Sequence, residues 1–438
     1  MRASRVLASI LILVGLIGVL VGGRELYSRL LYVGLFWVGV SWIWSRFALS
    51  GLTISRRARS LRASMGDVFE EHFEVINKGR LPKLWVEVSN ETDMPNAAGS
   101  RLMTMIGGGQ TRTYLGRTWL TQRGGFPLGP TTITSGDPFG LFRVQRTFPE
   151  SDTLVVLPMI FSIESFISPP GMLTGGQVIR RKAIDITPHA AGVREYVHGD
   201  PMKRIHWPLT ARRGELIVKE FEQDPQAEIW LFLDAQASVH AEKPYELPIE
   251  KTENWMFRER PEFELPPFTL EYEVSIAASL AHYFISQQRS VGMISASRTF
   301  TIIPAERSER QENKILETLA FLKAQSRYSL AGLVTAQAGQ LPQGSSAVLI
   351  TPTVFPELMI AIDDLQRRNI RPVVILLMAK SFGGGMGSEE LYKTLLENNV
   401  PVCRIYCGAN LSVELSGFSA QITKGGNVWQ RPVLSHLI

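Results

Sequence analysis

Two apolar runs near the start of the sequence constrain the fold more than any other feature. The first covers residues 6–23 and carries no charge, and the second covers residues 30–44 and is interrupted only by Ser41. Three charged residues separate the two runs. Each run is close to the length that crosses about 30 Å of hydrocarbon. The sequence therefore predicts two transmembrane helices, forming a helical hairpin, in residues 1–50.

Arginines on both sides of the hairpin predict its orientation. They are Arg2, Arg5, Arg46, Arg56, Arg57, Arg59 and Arg62. Because basic flanks stay on the cytoplasmic side, we expect a protein of the cell (inner) membrane with both termini and the soluble domains in the cytoplasm. A cleaved signal peptide is the competing interpretation of the first run. The second run and the lack of an A-x-A cleavage site favour the hairpin.

Charge and cysteine content argue against two classes of protein. Residues 1–62 hold nine arginines and one glutamate, so the remainder, with 37 basic and 40 acidic residues, has a net charge of −3. The basic excess belongs to the membrane-flanking segment, and we expect no nucleic acid partner. The only two cysteines, Cys403 and Cys407, suit a reducing compartment better than a disulfide-bonded secreted scaffold.

Residues 51–160 have the pattern of a small β-sandwich domain. Short alternating runs such as 69–75 and 84–88 are separated by turn residues that contain glycine, which is typical of antiparallel strands. Two further segments, R-G-G-F-P-L-G-P at 123–130 and D-P-F-G-L-F at 137–142, stand out. We interpret both as turn chemistry at strand ends.

A linker rich in proline, glycine and serine, residues 161–192, leads to the most distinctive segment, residues 193–222. This signature segment has the sequence V-R-E-Y-V-H-G-D-P-M-K-R-I-H-W-P-L-T-A-R-R-G-E-L-I-V-K-E-F-E. Arginines beside an aspartate and aromatic faces can form bidentate and stacked contacts. Residue types alone leave two roles open, a structural cluster and a docking surface.

The signature segment resembles a bacterial and archaeal family of unknown function, the one numbered fifty-eight. The matching positions are Arg194, Tyr196, Gly199, Asp200, Arg204, Ile205, Trp207, Thr210, Ala211, Arg212, Leu216, Val218, Lys219, Phe221 and Glu222. His206 stands where the family often has aspartate, which weakens any carboxylate role at that position. Segments 123–130 and 137–142 also resemble sequences that precede the signature in this family. The family's biochemical activity is itself poorly defined.

Beyond residue 223 the pattern changes to alternating strands and helices. The run 229–233 is apolar throughout, as expected for a strand of a parallel sheet that is covered on both faces. Repeated strand–helix units then predict an open, mostly parallel sheet with helices on both faces in residues 223–438. The predicted fold class is α+β multidomain: a transmembrane hairpin, a small β-sandwich and a Rossmann-like α/β domain.

The first strand of this domain ends in a candidate metal site. Residues 234–238, D-A-Q-A-S, resemble the D-x-S-x-S start of the metal-ion-dependent adhesion site of von Willebrand A-type domains. Asp234 and Ser238 match that motif, but Gln236 replaces its first serine. Pro352 stands where such domains often carry a second aspartate. Since Mg²⁺ needs several oxygen ligands, we expect a domain of this fold without a metal, and Mg²⁺ binding stays the alternative.

An acidic insertion at 239–270 follows this degenerate site, where it either covers a docking surface or forms a solvated loop. No enzyme motif accompanies it, since G-x-S-x-G and H-E-x-x-H are absent from the sequence. One catalytic hypothesis stays open, an uncharacterised enzyme with a site formed by Asp200, His206 and Arg212. We predict no catalytic residues and no cofactor.

The resemblance also implies a function. Proteins of this kind are associated with MoxR-type AAA+ ATPases and with complex assembly or maturation at the membrane. The leading hypothesis is a membrane-anchored cytoplasmic platform for protein–protein interaction, with the signature segment either structural or docking. The alternatives are a metal-dependent adhesion-type binding module that uses Asp234 and Ser238, and the uncharacterised enzyme.

Overall fold

The computed structural model describes residues 2–22, 25–149, 152–167, 190–196, 205–221, 228–246 and 263–424. The chain divides into two compact units. Unit 1 contains Met1–Phe161, Ala241–Ser279 and Asn313–Lys323, and unit 2 contains Ser162–His240, Leu280–Glu312 and Ala324–Ile438. Two stretches from the second half of the chain therefore belong to the same unit as the N-terminal residues.

Unit 1 begins with two helices, α1 (Arg2–Leu20) and α2 (Glu25–Ala48), so the two predicted apolar helices are confirmed. Both are long and apolar enough to cross a membrane. Glycine allows them to approach closely, because a Cβ atom on Gly15 would lie 2.8 Å from the backbone nitrogen of Leu31. Small residues serve the same purpose in helix pairs packed within bilayers.

Ten strands follow the helices. They are β1 (Leu52–Ala58), β2 (Arg62–Ser64), β3 (Val68–Asn77), β4 (Lys83–Asn90), β5 (Arg101–Ile106), β6 (Thr111–Trp119), β7 (Gly124–Leu128), β8 (Thr131–Gly136), β9 (Arg143–Phe148) and β10 (Asp152–Leu157). They form sheets in the orders β1-β3-β6, β5-β4-β8-β9 and β2-β10-β7. The β2–β10 pair is parallel, and all other pairs in these sheets are antiparallel.

The first two sheets share one apolar core. Phe73 and Val75 of β3 are fully buried with Val86 and Val88 of β4 in the same cluster. Alternate residues of β3 are buried along its whole length, because successive side chains of a strand point to opposite faces. Two sheets that enclose a common core are the arrangement of a β-sandwich.

A second cluster of unit 1 lies under the three-stranded sheet β2-β10-β7 and includes residues of the acidic insertion. Phe263 and Leu265 pack against it, and the ring of Phe263 meets that of Trp119 edge to face at 5.8 Å. The carboxyl end of the insertion is therefore packed rather than solvated. Residues 247–262 of the predicted insertion lie outside the described residues.

The main sheet of unit 2 has six strands, β13 (Ile229–Leu233), β14 (Val291–Ala296), β15 (Phe300–Glu306), β16 (Ser346–Thr351), β17 (Arg371–Leu377) and β18 (Val402–Ile405). Their order is β15-β14-β13-β16-β17-β18. Strand β15 is antiparallel to β14, and the remaining neighbours are parallel. β13 is thus central, as its unbroken apolar sequence predicts.

Helices connect these strands or follow the last of them: α4 (Thr269–Ser286), α5 (Glu309–Phe321), α6 (Leu330–Gln337), α7 (Leu358–Arg367), α8 (Ser388–Glu397) and, after β18, α9 (Leu411–Lys424). A large cluster that includes Phe232, Leu349 and Val374 of the sheet and Leu365 of α7 forms the core. Within the predicted linker, residues 168–189 lie outside the described residues, whereas Phe166 packs on Phe284 and Phe418.

Candidate functional site

The signature segment forms a strand pair with a short helix in the connection. β11 (Ala190–Glu195) pairs antiparallel with β12 (Ile217–Phe221), with Glu195 opposite Ile217. The backbone N–H of Tyr196 donates to the carbonyl of Leu216 at 2.8 Å. Gly199, Asp200, Arg204 and Glu222 lie outside the described residues, and Arg194, Lys219 and Phe221 are placed in the two strands.

The helix in the connection, α3 (Trp207–Arg213), is fixed at both ends by local contacts. His206 caps its start, because the ring Nδ1 accepts a hydrogen bond from the N–H of Leu209 at 3.3 Å. Gly214 ends it with a φ of 73°, and its N–H donates to the carbonyl of Thr210. The hydroxyl of Thr210 in turn accepts from the N–H of Ile217. His206 is thus the N-cap of this helix.

The side chains of α3 point away from the core. None of its residues is buried, and Trp207 is 60% exposed. Ala211 and Arg212 are also exposed. The apolar anchors lie in the strands instead, where Ile217 and Val218 are buried. The segment therefore presents an aromatic ring and a guanidinium group to its surroundings, which is the composition of a protein-binding surface.

Asp234 occupies the carboxyl end of the central strand of the main sheet. Its neighbours β14 and β16 leave β13 on opposite sides, so Asp234 lies at the topological switch point, where open α/β sheets bind ligands. The side chain is buried, and each carboxylate oxygen accepts a hydrogen bond. Thr351 Oγ1 donates to Oδ2 at 2.6 Å, and the N–H of Gln236 donates to Oδ1 at 3.1 Å.

Burial changes the protonation of this carboxyl group. Loss of hydration raises the pKa of Asp234 to about 6, and the hydrogen bonds from Thr351 and Gln236 oppose that rise only in part. A carboxyl group with this pKa takes up a proton under mildly acidic conditions.

The residues around Asp234 do not fit Mg²⁺. The hydroxyl of Ser238 accepts a hydrogen bond from Gln236 Nε2 at 2.9 Å. Gln236, which stands in place of the motif's first serine, therefore engages the hydroxyl of the second serine, Ser238. Asp234 already accepts from two protein donors. Within the part of the chain that the structure describes, no three His, Cys, Asp or Glu side chains form a metal-binding group. Mg²⁺ needs near-ideal octahedral coordination by oxygen ligands. The oxygens of Asp234 and Ser238 instead accept hydrogen bonds from protein donors.

Arg123, in the R-G-G-F-P-L-G-P segment, has a role beyond the turn that the sequence predicts. Its side chain is only 5% exposed and forms an ion pair with Glu271. Its Nε and Nη2 donate to the carbonyls of Leu319 and Leu322, at 3.1 and 2.7 Å. Gly125 permits the approach, since a Cβ there would lie 2.8 Å from the ring of Phe321. A lone arginine before two glycines is the signal that could have marked it.

A cavity of about 270 Å³ lies between α2 and the β-sandwich. Its walls are mostly apolar and include Trp44 and Phe47 from the helix and Leu81 from the strand side. Lys83 also lines it, and its ammonium donates to the carbonyl of Phe47 at 2.6 Å. Burial lowers the pKa of Lys83.

Comparison with known proteins finds a family match for the signature segment. Two N-terminal apolar helices and several sheets make it a mixed α/β multidomain protein. Residues 192–244 match the family "Protein of unknown function DUF58", and this match supports the resemblance found in the signature segment. The match covers the signature segment (residues 193–222), which includes α3, and extends over Asp234 and Ser238.

One curated relative supports this assignment. The uncharacterized protein YeaD of Bacillus subtilis (strain 168) is 23% identical over 202 residues. The match covers 45% of this chain and 42% of YeaD, so the chain spans less than half the length of that relative.

Solved structures resemble only small parts of the chain. The CARDB domain of the PF1109 protein from Pyrococcus furiosus is 12% identical, with 24% of this chain and 91% of that chain covered and a TM-score of 0.20. A β-glucosidase from Listeria innocua is 6% identical, with 24% and 16% covered and a TM-score of 0.17. Likeness at these TM-scores supports no conclusion about fold or function.

Proposed function

We propose that this chain is a membrane-anchored platform for protein–protein interaction. The helices α1 and α2 anchor it, and α3 of the signature segment, in unit 2, carries the docking surface. The arginines that flank the helices favour a cytoplasmic location for both units. On this proposal the protein positions its partners and catalyses no reaction itself.

We propose further that unit 2 is a von Willebrand A-like domain without a working metal site. Numbered along the chain, its six strands follow the order 3-2-1-4-5-6, which is that of doubly wound α/β folds. Asp234 and Ser238 keep the positions of the adhesion motif, while Gln236 and Pro352 replace an oxygen ligand each. The alternative, an adhesion-type module, requires Mg²⁺ binding, and titration calorimetry with millimolar Mg²⁺ should give no binding heat.

One observation carries the proposal: Trp207 is 60% exposed on a helix with no buried residue, inside the segment that defines the family. Exposed tryptophan and arginine contribute most of the binding energy at many interfaces. The fixed ends of α3 hold these side chains in place, which reduces the entropy lost on binding. The signature segment is therefore better suited to docking than to internal structure.

We propose a MoxR-type AAA+ ATPase as the partner that docks on α3. The support is the family resemblance together with the exposed side chains of Trp207 and Arg212 on α3. In this arrangement the ATPase supplies the energy for assembling or maturing a complex, and this chain supplies the place at the membrane.

The test is affinity capture of the tagged chain from native membranes, with and without nucleotide, followed by detection of the MoxR-type ATPase. Trp207→Ala should lower the captured ATPase at least tenfold. Tyr328→Ala is the matched control, because Tyr328 is an exposed aromatic residue of the same unit, 69% accessible. Equal capture by folded Trp207→Ala would refute docking at α3.

A further inference from the structure

The D-P-F-G-L-F segment forms a turn that holds an aromatic ring outward. The carboxylate of Asp137 is fully buried and accepts from the N–H groups of Phe139 and Phe142, at 2.9 and 2.6 Å. Gly140, with a φ of 75°, donates its N–H to the carbonyl of Asp137. Phe139 at the tip is 49% exposed.

This turn lies beside the helical pair rather than beyond its end. The ring of Phe139 meets that of Trp37 edge to face, with 5.7 Å between centroids. Arg5 Nε donates to the carbonyl of Leu141 at 2.8 Å. Trp37 is near the middle of α2 (Glu25–Ala48), so the turn reaches half-way along the helix.

The reach of the turn conflicts with a purely aqueous location. At about 1.5 Å per residue, α2 rises only about 18 Å from Glu25 to Trp37, and α1 rises only about 22 Å from Arg5 to Leu20. The hydrocarbon layer is about 30 Å thick. If the charged tip of the hairpin reaches the far surface, then Phe139 lies inside the hydrocarbon of the near leaflet, with Arg5 close to its boundary.

The hydrogen bonds of the turn suit that environment. A backbone polar group in lipid must find a partner within the protein. Pro138 has no N–H, those of Phe139, Gly140 and Phe142 are bonded to Asp137, and the carbonyl of Leu141 accepts from Arg5.

We propose that the turn 138–141 is a second membrane contact, inserted in the lipid leaflet on the side of the β-sandwich, with the Phe139 ring among the acyl chains. This inference rests on the proposed membrane anchor. It makes the sandwich a membrane-seated domain held at a fixed height by two elements. The occupant of this surface is lipid, and the outward ring contributes apolar burial there.

The test places an environment-sensitive fluorophore on single cysteines of the full chain in lipid vesicles. Every labelled variant also carries Cys407→Ser, and the buried Cys403 is retained. The signal of the Cys407→Ser chain without an added cysteine is measured in parallel and subtracted. Labels at Phe139→Cys and at exposed Pro138→Cys report on the turn, the latter with the Phe139–Trp37 contact intact. Phe36→Cys, on the exposed face of α2, reports on the anchor. Arg59→Cys, an exposed position directly after β1 and about 23 Å along the strand direction from Leu52, reports on water.

Labels at positions 138 and 139 should be quenched by lipids with a nitroxide high on the acyl chain and protected at least fivefold from aqueous iodide, as at position 36. The label at position 59 should behave in the opposite way. Free access of iodide to both turn labels, with position 36 in lipid, would overturn the insertion and leave the anchor standing. Iodide access at position 36 as well would overturn both.

Discussion

Among single residues, Asp234 links burial to a pH dependence of stability. Its pKa is about 6 in the folded chain against 3.8 for the free side chain. Between these values the native state holds a proton that the unfolded state has lost, so the contribution of Asp234 to stability is greatest below pH 4 and falls as pH rises to 6. Two pKa units correspond to about 3 kcal/mol.

We predict that Asp234→Asn removes most of this dependence. The amide can still accept from the N–H of Gln236 and can donate to the hydroxyl of Thr351, so the hydrogen bonds survive without the buried charge. Relative to wild type, the variant should gain about 2–3 kcal/mol between pH 4 and pH 7 in denaturant melts. Ser238→Ala, in the same loop but exposed, should leave the wild-type pH profile unchanged. Parallel profiles for Asp234→Asn and wild type would contradict the assignment.

Loss of Arg123 should destabilise unit 1. Arg123→Ala leaves Glu271 without its ion pair and removes a donor from the carbonyls of Leu319 and Leu322, at a cost of about 3 kcal/mol. Lysine should recover only part of this, because it lacks the planar fork that contacts three groups. Thermal melts of the detergent-solubilised protein measure the effect.

Arg117→Ala is the control for that prediction. Arg117 also pairs with a glutamate of unit 1, Glu70, but both side chains are 44% exposed. Surface pairs of this kind contribute about 0.5 kcal/mol. Equal losses of stability for Arg123→Ala and Arg117→Ala would show that the burial of Arg123 and its contacts adds nothing to the stability of unit 1.

Among the elements, the strands and helices follow from local patterns, and their long-range contacts do not. Alternation over 69–75 predicts a strand, and β3 contains it; the apolar run 229–233 predicts the central strand β13. The partners of Arg123 at Leu319 and Leu322 lie 196 and 199 residues away. No periodicity within 123–130 specifies such a contact, which depends on how the chain returns after α4.

The contact face of the helical pair yields a prediction at the same scale. A Cβ on Gly15 would lie 2.8 Å from the backbone of Leu31, whereas a Cβ on Gly39 would meet nothing within 4 Å. Gly15→Ala should therefore force α1 and α2 apart and cost about 1–3 kcal/mol. Gly39→Ala should have no such effect. Melting in detergent compares the two, and equal midpoints would argue against close packing of the pair.

In the whole molecule, the order of segments along the sequence differs from their grouping in space. The sequence places a boundary near residue 160 and a separate domain at 223–438. The structure instead groups Ala241–Ser279 and Asn313–Lys323 with the first 161 residues. Composition cannot reveal this grouping. Apolar side chains such as Phe263 and Leu265 can pack in any hydrophobic core, so their sequence does not specify which one they join.

For the candidate site, sequence placed the signature segment and Asp234 but not their surroundings. The carboxyl ends of β13 and β16 are neighbours because the strands are parallel, and this brings Thr351 to Asp234. The exposure of Trp207 follows from the placement of α3, in which no residue is buried. Residue types alone left both a structural and a docking role open there.

The most direct test of the central claim is flotation of a purified MoxR-type ATPase with lipid vesicles that carry this chain, in the presence of a non-hydrolysed nucleotide. The wild-type chain and Tyr328→Ala should carry the ATPase to the top of the gradient, and Trp207→Ala should carry at least tenfold less. Vesicles that float with the chain but leave the ATPase behind, or that carry it equally with Trp207→Ala, would contradict the proposal of a membrane-held docking platform.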